Sequence, residues 1–211
     1  MHFLIDKKFF ILYIVVSMRT LWTFLTFFIL LNTNTCFAAA ISCDQAASLV
    51  GSKVPPGLLQ AIGSVESGHI DQDGKVRSWP FTVDIDGNGY WFLTSGDAAK
   101  FTIQALKVGY GSVDVGCFQI NLEAHPKAFK TLGEAFDPED NAKYAADFLS
   151  KLYQQTGSWG LAVERYHSAN PTLAIPYVRN VMKTWGREKQ DTVREVNRKL
   201  GVWHGITVYG P

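Results

Sequence analysis

Beyond residue 40, apolar positions recur mostly at intervals of three and four, which predicts a mainly helical domain. Asp44 to Val50 reads as a short first helix. Pro55-Pro56 opens a second, with Leu58, Leu59, Ile62 and Val65 as its apolar stripe and Gly68 as its end. The texture then changes. Trp79 to Ile85 and Tyr90 to Thr94 are rich in β-branched and aromatic residues, and Asp86-Gly87-Asn88-Gly89 between them is a strong turn signal, so a β-hairpin is predicted. Ser95 is placed as the cap of the next helix, which carries Ala98, Phe101, Ile103, Ala105 and Leu106. Asp137-Pro138 starts a longer one, with Ala142, Ala145, Ala146, Leu149 and Leu152 on one face and Gly157 as its stop. Trp159 to Tyr166 and Pro176 to Trp185 complete the helices. The expected class is mainly α (α+β), with an inserted β-hairpin, and no internal repeat is visible.

The first 40 residues have a different pattern. Two apolar runs, Phe9 to Val16 and Leu21 to Leu31, precede a polar stretch and the small residues Ala38-Ala39-Ala40. Arg19, the second run and an A-x-A site with cleavage before Ile41 make a signal peptide. Met18-Arg19-Thr20 forms a compact basic start by itself, so Met18 is a second candidate initiation site. An uncleaved membrane anchor is the alternative, since the two runs together have the length to span a bilayer. The division expected is residues 1–40 for export, 41–185 for the domain and 186–211 as a C-terminal tail. The expected location is the periplasm.

Charge narrows the function classes. The chain has 20 Lys and Arg against 19 Asp and Glu, and Lys7, Lys8, Arg19 and Asp6 fall in the export segment, leaving 17 against 18. Such a balance offers no basic field for nucleic acid. The basic positions from Lys183 to Lys199 are interrupted by acids and read as a solvated helix face. Of three Cys, Cys36 would leave with the signal. Cys43 and Cys117 then stand either as a disulfide in an oxidising compartment or as two buried thiols. Five His lack ligand spacing, and no cofactor is implied. Asp84-x-Asp86-x-Asn88-Gly89 imitates the start of a calcium loop, but its twelfth position is Ser95 where Glu is needed, and a hairpin turn explains it better.

Glu66 is the candidate for chemistry. It lies four residues after Ile62, seven after Leu59 and eight after Leu58, on the apolar face of its helix. A carboxyl held in apolar surroundings keeps its proton to higher pH, as a general acid requires. A half-exposed Glu at a helix end is the plainer reading of the same spacing.

Four segments in order add to this. Pro55 to Gly68, with its Glu66-Ser67 pair, resembles the first motif of the soluble lytic transglycosylase (SLT) family, a goose-type-lysozyme-like family of the glycoside hydrolase family 23 type. Gly116-x-x-Gln119-Ile120-Asn121 resembles its second motif. Asp137 to Asn141 followed by Ala145-Ala146-x-x-Leu149 resembles the third, and Ala162-Val163-x-x-Tyr166-His167-Ser168-Ala169 the fourth. Together they span about residues 44 to 184. Two departures stand out. A long insertion before Gly116 holds the predicted hairpin and is expected to wall the groove. His167 stands where Asn is commoner.

The resemblance implies a lysozyme-like fold and a periplasmic enzyme that cuts peptidoglycan glycan strands. Glu66 would be the single acid, protonating the oxygen between N-acetylmuramic acid and N-acetylglucosamine and then acting as base, so that a 1,6-anhydro end forms without water. Ser67 is expected to orient Glu66 and, with Gln119, Asn121, Tyr166 and His167, to contact substrate. No second acid matches a family catalytic position, although Asp114, Glu164, Asp71 and Asp73 are present by composition. A hydrolytic muramidase and a non-catalytic glycan-binding component of a secretion or flagellar assembly are the competing readings. The chain is expected to act as a monomer, and a partner in such an assembly could dock on the tail.

Overall fold

The computed structural model describes residues 41–199 apart from Gln72 and Ala169, with side chains described as far as Arg187. The expectations for the export segment and for residues 200–211 lie outside the described residues. The helices are α1 (Cys43–Leu49), α2 (Leu58–Glu66), α3 (Ser95–Val108), α4 (Leu132–Phe136), α5 (Pro138–Thr156), α6 (Trp159–His167) and α7 (Pro171–Lys199). The strands are β1 (Gly68–Ile70), β2 (Val76–Ser78), β3 (Thr82–Ile85), β4 (Asn88–Trp91), β5 (Val113–Val115) and β6 (Ile120–Asn121). This is the mainly α architecture with a small antiparallel sheet that the pattern predicts.

One core joins the helices. Leu58, Leu59 and Ile62 of α2 bury against Ala142, Ala145, Ala146 and Leu149 of α5, Val163 of α6 and Val181 of α7. The small alanines of α5 let its neighbours approach closely. Asp137 caps α5 by accepting the N–H groups of Glu139 and Asp140, and Gly157 ends it in the left-handed conformation. A disulfide between Cys43 and Cys117, with Cα atoms 5.6 Å apart, ties the first residue of α1 to the segment after β5.

A second core lies under the sheet, whose order is β4-β3-β5-β6. Val83, Ile85, Val113 and Val115 bury one face against Ala98 and Ala105 of α3 and Ala135 and Phe136 of α4. Val83 pairs with Val115 and Ile85 with Val113, so the residues between them, Asp84 and Asp114, face the other way and stand opposite each other. Asp114 is also opposite Asn121 of β6. A row of polar side chains thus crosses the open face of the sheet.

Several boundaries differ from the sequence reading. The second helix begins at Leu58, not at Pro55-Pro56, because Gly57 adopts a left-handed conformation before it, and it stops at Glu66 so that Gly68 can enter β1. The hairpin turn is the two residues Asp86 and Gly87, both at positive φ, while Asn88 and Gly89 pair within β4. Thr94, not Ser95, caps α3, its hydroxyl accepting the Asp97 N–H. Pro176 lies inside α7, which starts at Pro171, and the helix continues past residue 185 to Lys199. The β1–β2 pair, the short β5–β6 pairing and α4 have no counterpart in the sequence reading.

Candidate active site

Glu66 is the last residue of α2, where the buried stripe of Leu58, Leu59 and Ile62 runs out into a cleft of about 820 Å³. The cleft lies between the open face of the sheet and the α5–α6 side, with Asp114 and Gln119 on one wall and Tyr166 and His167 on the other. Part of Glu66 reaches the cleft, but the carboxyl sits deep. Burial is the main reason its pKa rises from 4.5 to about 8. A hydrogen bond from Tyr177 opposes the rise, and the charges of Asp114 and then Asp84 add to it. A carboxyl in this setting holds its proton at neutral pH.

Tyr177 of α7 donates its hydroxyl to Glu66 Oε1 at 2.6 Å. That bond leaves Oε2 to carry the proton toward the cleft. Burial, and next the charge of Glu66, keep the Tyr177 hydroxyl well above its ordinary pKa, so it stays a donor. The sequence reading missed this residue. The signal was there: Ala174, Tyr177, Val181 and Thr184 are buried at spacings of three and four, and only one of them has an aromatic hydroxyl that needs a partner. His167 stacks on the Tyr177 ring, with centroids 4.3 Å apart and planes 11° apart, so the residue that departs from the family pattern braces the one that holds the acid.

Two of the residues expected to contact substrate have other work. Ser67 is fully buried and does not line the cleft. Its hydroxyl donates to Cys117 O at 2.7 Å and accepts the Trp79 N–H at 3.2 Å. It therefore pins the end of α2 to the disulfide segment and to Trp79, just ahead of the hairpin. Asn121 lines the cleft, but its Nδ2 donates to Asp114 Oδ1 at 2.6 Å and Ser112 Oγ at 3.0 Å, and its Oδ1 accepts the Ala124 N–H at 2.7 Å. Its amide is committed within the protein.

Tyr166 lines the cleft, and its hydroxyl donates to Phe118 O at 2.8 Å rather than to Glu66. Gln119 also lines the cleft, in a left-handed conformation (φ 46°) rare for a residue with a side chain. Its Nε2 donates to Gly116 O at 2.8 Å and Thr82 O at 3.2 Å, which fixes the amide. Its Oε1 is buried without a partner among the described residues. An amide held at a cleft wall, with its carbonyl unpaired just beneath the surface, is suited to a polar ligand that enters the cleft.

Of the four further acids, Asp114 alone lines the cleft. Asp71 is engaged by Arg77 and by the N–H groups of Asp73 and Lys75 across the β1–β2 turn. Asp73 joins it as a weaker partner of Arg77 at 3.6 Å. Asp114 has its pKa raised to about 6, chiefly by burial, with the Asn121 bond opposing and Asp84 adding. Asp84, part of the calcium-like run, is also on the cleft wall, and its Oδ1 accepts the Gly87 N–H at 2.7 Å in the hairpin turn.

The family model of the transglycosylase SLT domain matches residues 46–175, more than half of the chain, and the chain belongs to that family. The goose-type-lysozyme-like affiliation read from the motifs is consistent with the match. Neither a comparison with curated proteins nor one with solved structures returned a match. Membership implies a transglycosylase-type enzyme whose substrate is peptidoglycan. Action on peptidoglycan is consistent with a location outside the cytoplasm, and among the described residues no helix is long and apolar enough to cross a membrane.

Proposed function

We propose that the protein is an exported lytic transglycosylase that cleaves the β-1,4 bond between N-acetylmuramic acid and N-acetylglucosamine and leaves a 1,6-anhydro end. The observation that carries this reading is Glu66: a carboxyl set deep beside a cleft of about 820 Å³, buried enough to titrate at about 8 and oriented by Tyr177. Protonated Oε2 donates to the glycosidic oxygen as the C1–O bond breaks. The substrate's acetamido oxygen closes on C1 in its place. The C6 hydroxyl then attacks C1, the bond to the acetamido oxygen opens, and the hydroxyl proton passes to Glu66. One group works first as acid and then as base, which a pKa near the working pH suits.

The remaining residues position. Gln119, on the cleft wall, holds the sugar through its amide. Tyr166 and His167 form the facing wall. Residues 1–40 direct export to the periplasm. Mass spectrometry of sacculi digested with wild type and Glu66→Gln tests the reading. Anhydro-muramic products from wild type, and none from the variant, are expected. Reducing ends from wild type, or an active Glu66→Gln, would overturn it.

A further inference from the structure

The sheet wall holds a group that a single-acid scheme leaves unused. Register places Asp84 directly opposite Asp114 on the cleft face of adjacent strands. Like charges in that position are destabilising. Neither takes part in an ion pair among the described residues. A like-charge pair turned toward the furrow that holds the acid costs stability, and such costs concentrate at functional sites.

The two carboxylates are not equivalent. Asp84 is engaged by the turn. Both lie on inner strands, but Asp114 on β5 is also opposite Asn121 of β6, and its charge acts on Glu66 more strongly than that of Asp84. Asn121 clamps its Oδ1 at 2.6 Å and is itself held by Ser112 and Ala124. Oδ2 has no hydrogen-bond partner among the described residues. A carboxylate fixed by one oxygen, with the other free at the cleft, is built to accept a hydrogen bond.

We propose that Asp114 is a second catalytic residue, whose free Oδ2 accepts the N–H of the acetamido group on the sugar being cleaved, and that Asn121 is a positioning residue acting through it. The proposal rests on the mechanism above. When the acetamido oxygen bonds to C1, the C1–O bond to the leaving sugar breaks and its electron pair takes the Glu66 proton. The acetamido nitrogen gains positive charge, and a carboxylate beside its N–H stabilises that charge. When the C6 oxygen bonds to C1, the acetamido group returns to neutral and Glu66 regains a proton. No electrons are gained or lost, and Asp114 keeps its charge throughout.

The surroundings fit the assignment. The charged and titratable groups that line the cleft with Asp114 are Asp84 on β3, Glu66 on α2, Arg165, Tyr166 and His167 on α6, and Glu123 and His125 after β6, with Tyr177 of α7 behind Glu66. With Asp114 titrating at about 6 and Glu66 at about 8, an ionised carboxylate and a protonated acid coexist between those pH values.

The test is binding of a thiazoline disaccharide, a mimic of the bicyclic intermediate, set against an unmodified N-acetylglucosamine oligosaccharide. Asp114→Asn should weaken the thiazoline by about 10- to 100-fold, the range of a hydrogen bond to a charged group. The oligosaccharide should change less than about threefold, and kcat on soluble glycan should fall about 10²-fold, as when a charge-stabilising group is lost. Asn121→Ala should weaken the thiazoline in the same selective way. Wild-type kcat/KM should also show an acid limb near pH 6.

Equal losses for both ligands, no loss of thiazoline affinity, a selective loss in Asp84→Asn instead, or no acid limb would each overturn the assignment. Anhydro products with unselective Asp114→Asn binding refute Asp114 alone. Reducing ends with selective binding refute the lyase reading and leave Asp114 standing.

Discussion

Replacing Glu66 with Gln should stabilise the protein at alkaline pH while abolishing its activity. The folded state holds the Glu66 proton up to about pH 8, whereas the unfolded chain releases it near 4.5. Between those values the folded state binds more protons than the unfolded state. Stability therefore falls as pH rises through that window and levels off above it. Each pH unit corresponds to about 1.36 kcal/mol, so the full gap sets an upper limit of about 5 kcal/mol. Water in the cleft relaxes around the charge, and about half of that, 2–3 kcal/mol, is the expected cost at pH 9. Gln never ionises, and its Oε1 can still accept the Tyr177 hydroxyl. Asp114 contributes a cost of the same sign between 3.8 and about 6, in both proteins alike, so it cancels in the difference. Melting followed by circular dichroism should show Glu66→Gln raised by about 5–10 °C at pH 9 and nearly unchanged at pH 5. Equal shifts at both pH values, or a less stable variant at pH 9, would refute the account of Glu66 as a buried, reluctant acid.

Further expectations follow from neighbouring contacts. Tyr177→Phe removes a bond that favours the Glu66 carboxylate, so the basic limb of the pH–rate profile should move up by about one to two pH units while kcat falls. A limb that stays or moves down would contradict the geometry. Reducing the Cys43–Cys117 bridge, or replacing both residues with Ser, should cost about 2–4 kcal/mol in denaturant titration, since it closes a 74-residue span. Asn141 is fully buried and accepts the Phe118 N–H while donating to Val115 O and Ala135 O, so Asn141→Ala should cost about 3 kcal/mol or more and lower expression of folded protein.

Local pattern carried the sequence reading a long way. The offsets of Glu66 from Ile62, Leu59 and Leu58 placed it on the buried face, and the alanine stripe of α5 with its Asp137 and Gly157 ends was legible because caps and periodicity are short-range signals. Adjacent candidates were harder to rank: Thr94 and Ser95 are both good caps, and Pro171 competes with Pro176 as a helix start. Register between distant segments was out of reach. Asp84 and Asp114 are 30 positions apart, and only strand pairing turns two scattered acids into a facing pair. The partners of Ser67 were hidden for the same reason, because Cys117 and Trp79 come from other parts of the chain. Tyr177 lies 111 residues from the carboxyl it holds.

The sulfur link between α1 and the segment after β5 has a consequence for when the enzyme becomes competent. Cys117 supplies the carbonyl that receives Ser67, and two residues later the chain turns into the strained Gln119 that faces the groove. A chain made where thiols are kept reduced lacks that staple, and the span bearing Gln119 is then less firmly anchored beside the acid. If the chain is exported as proposed, oxidation after translocation would anchor that span only once the protein has left the compartment that made it. Under the proposed function, such an enzyme would be finished at its place of use.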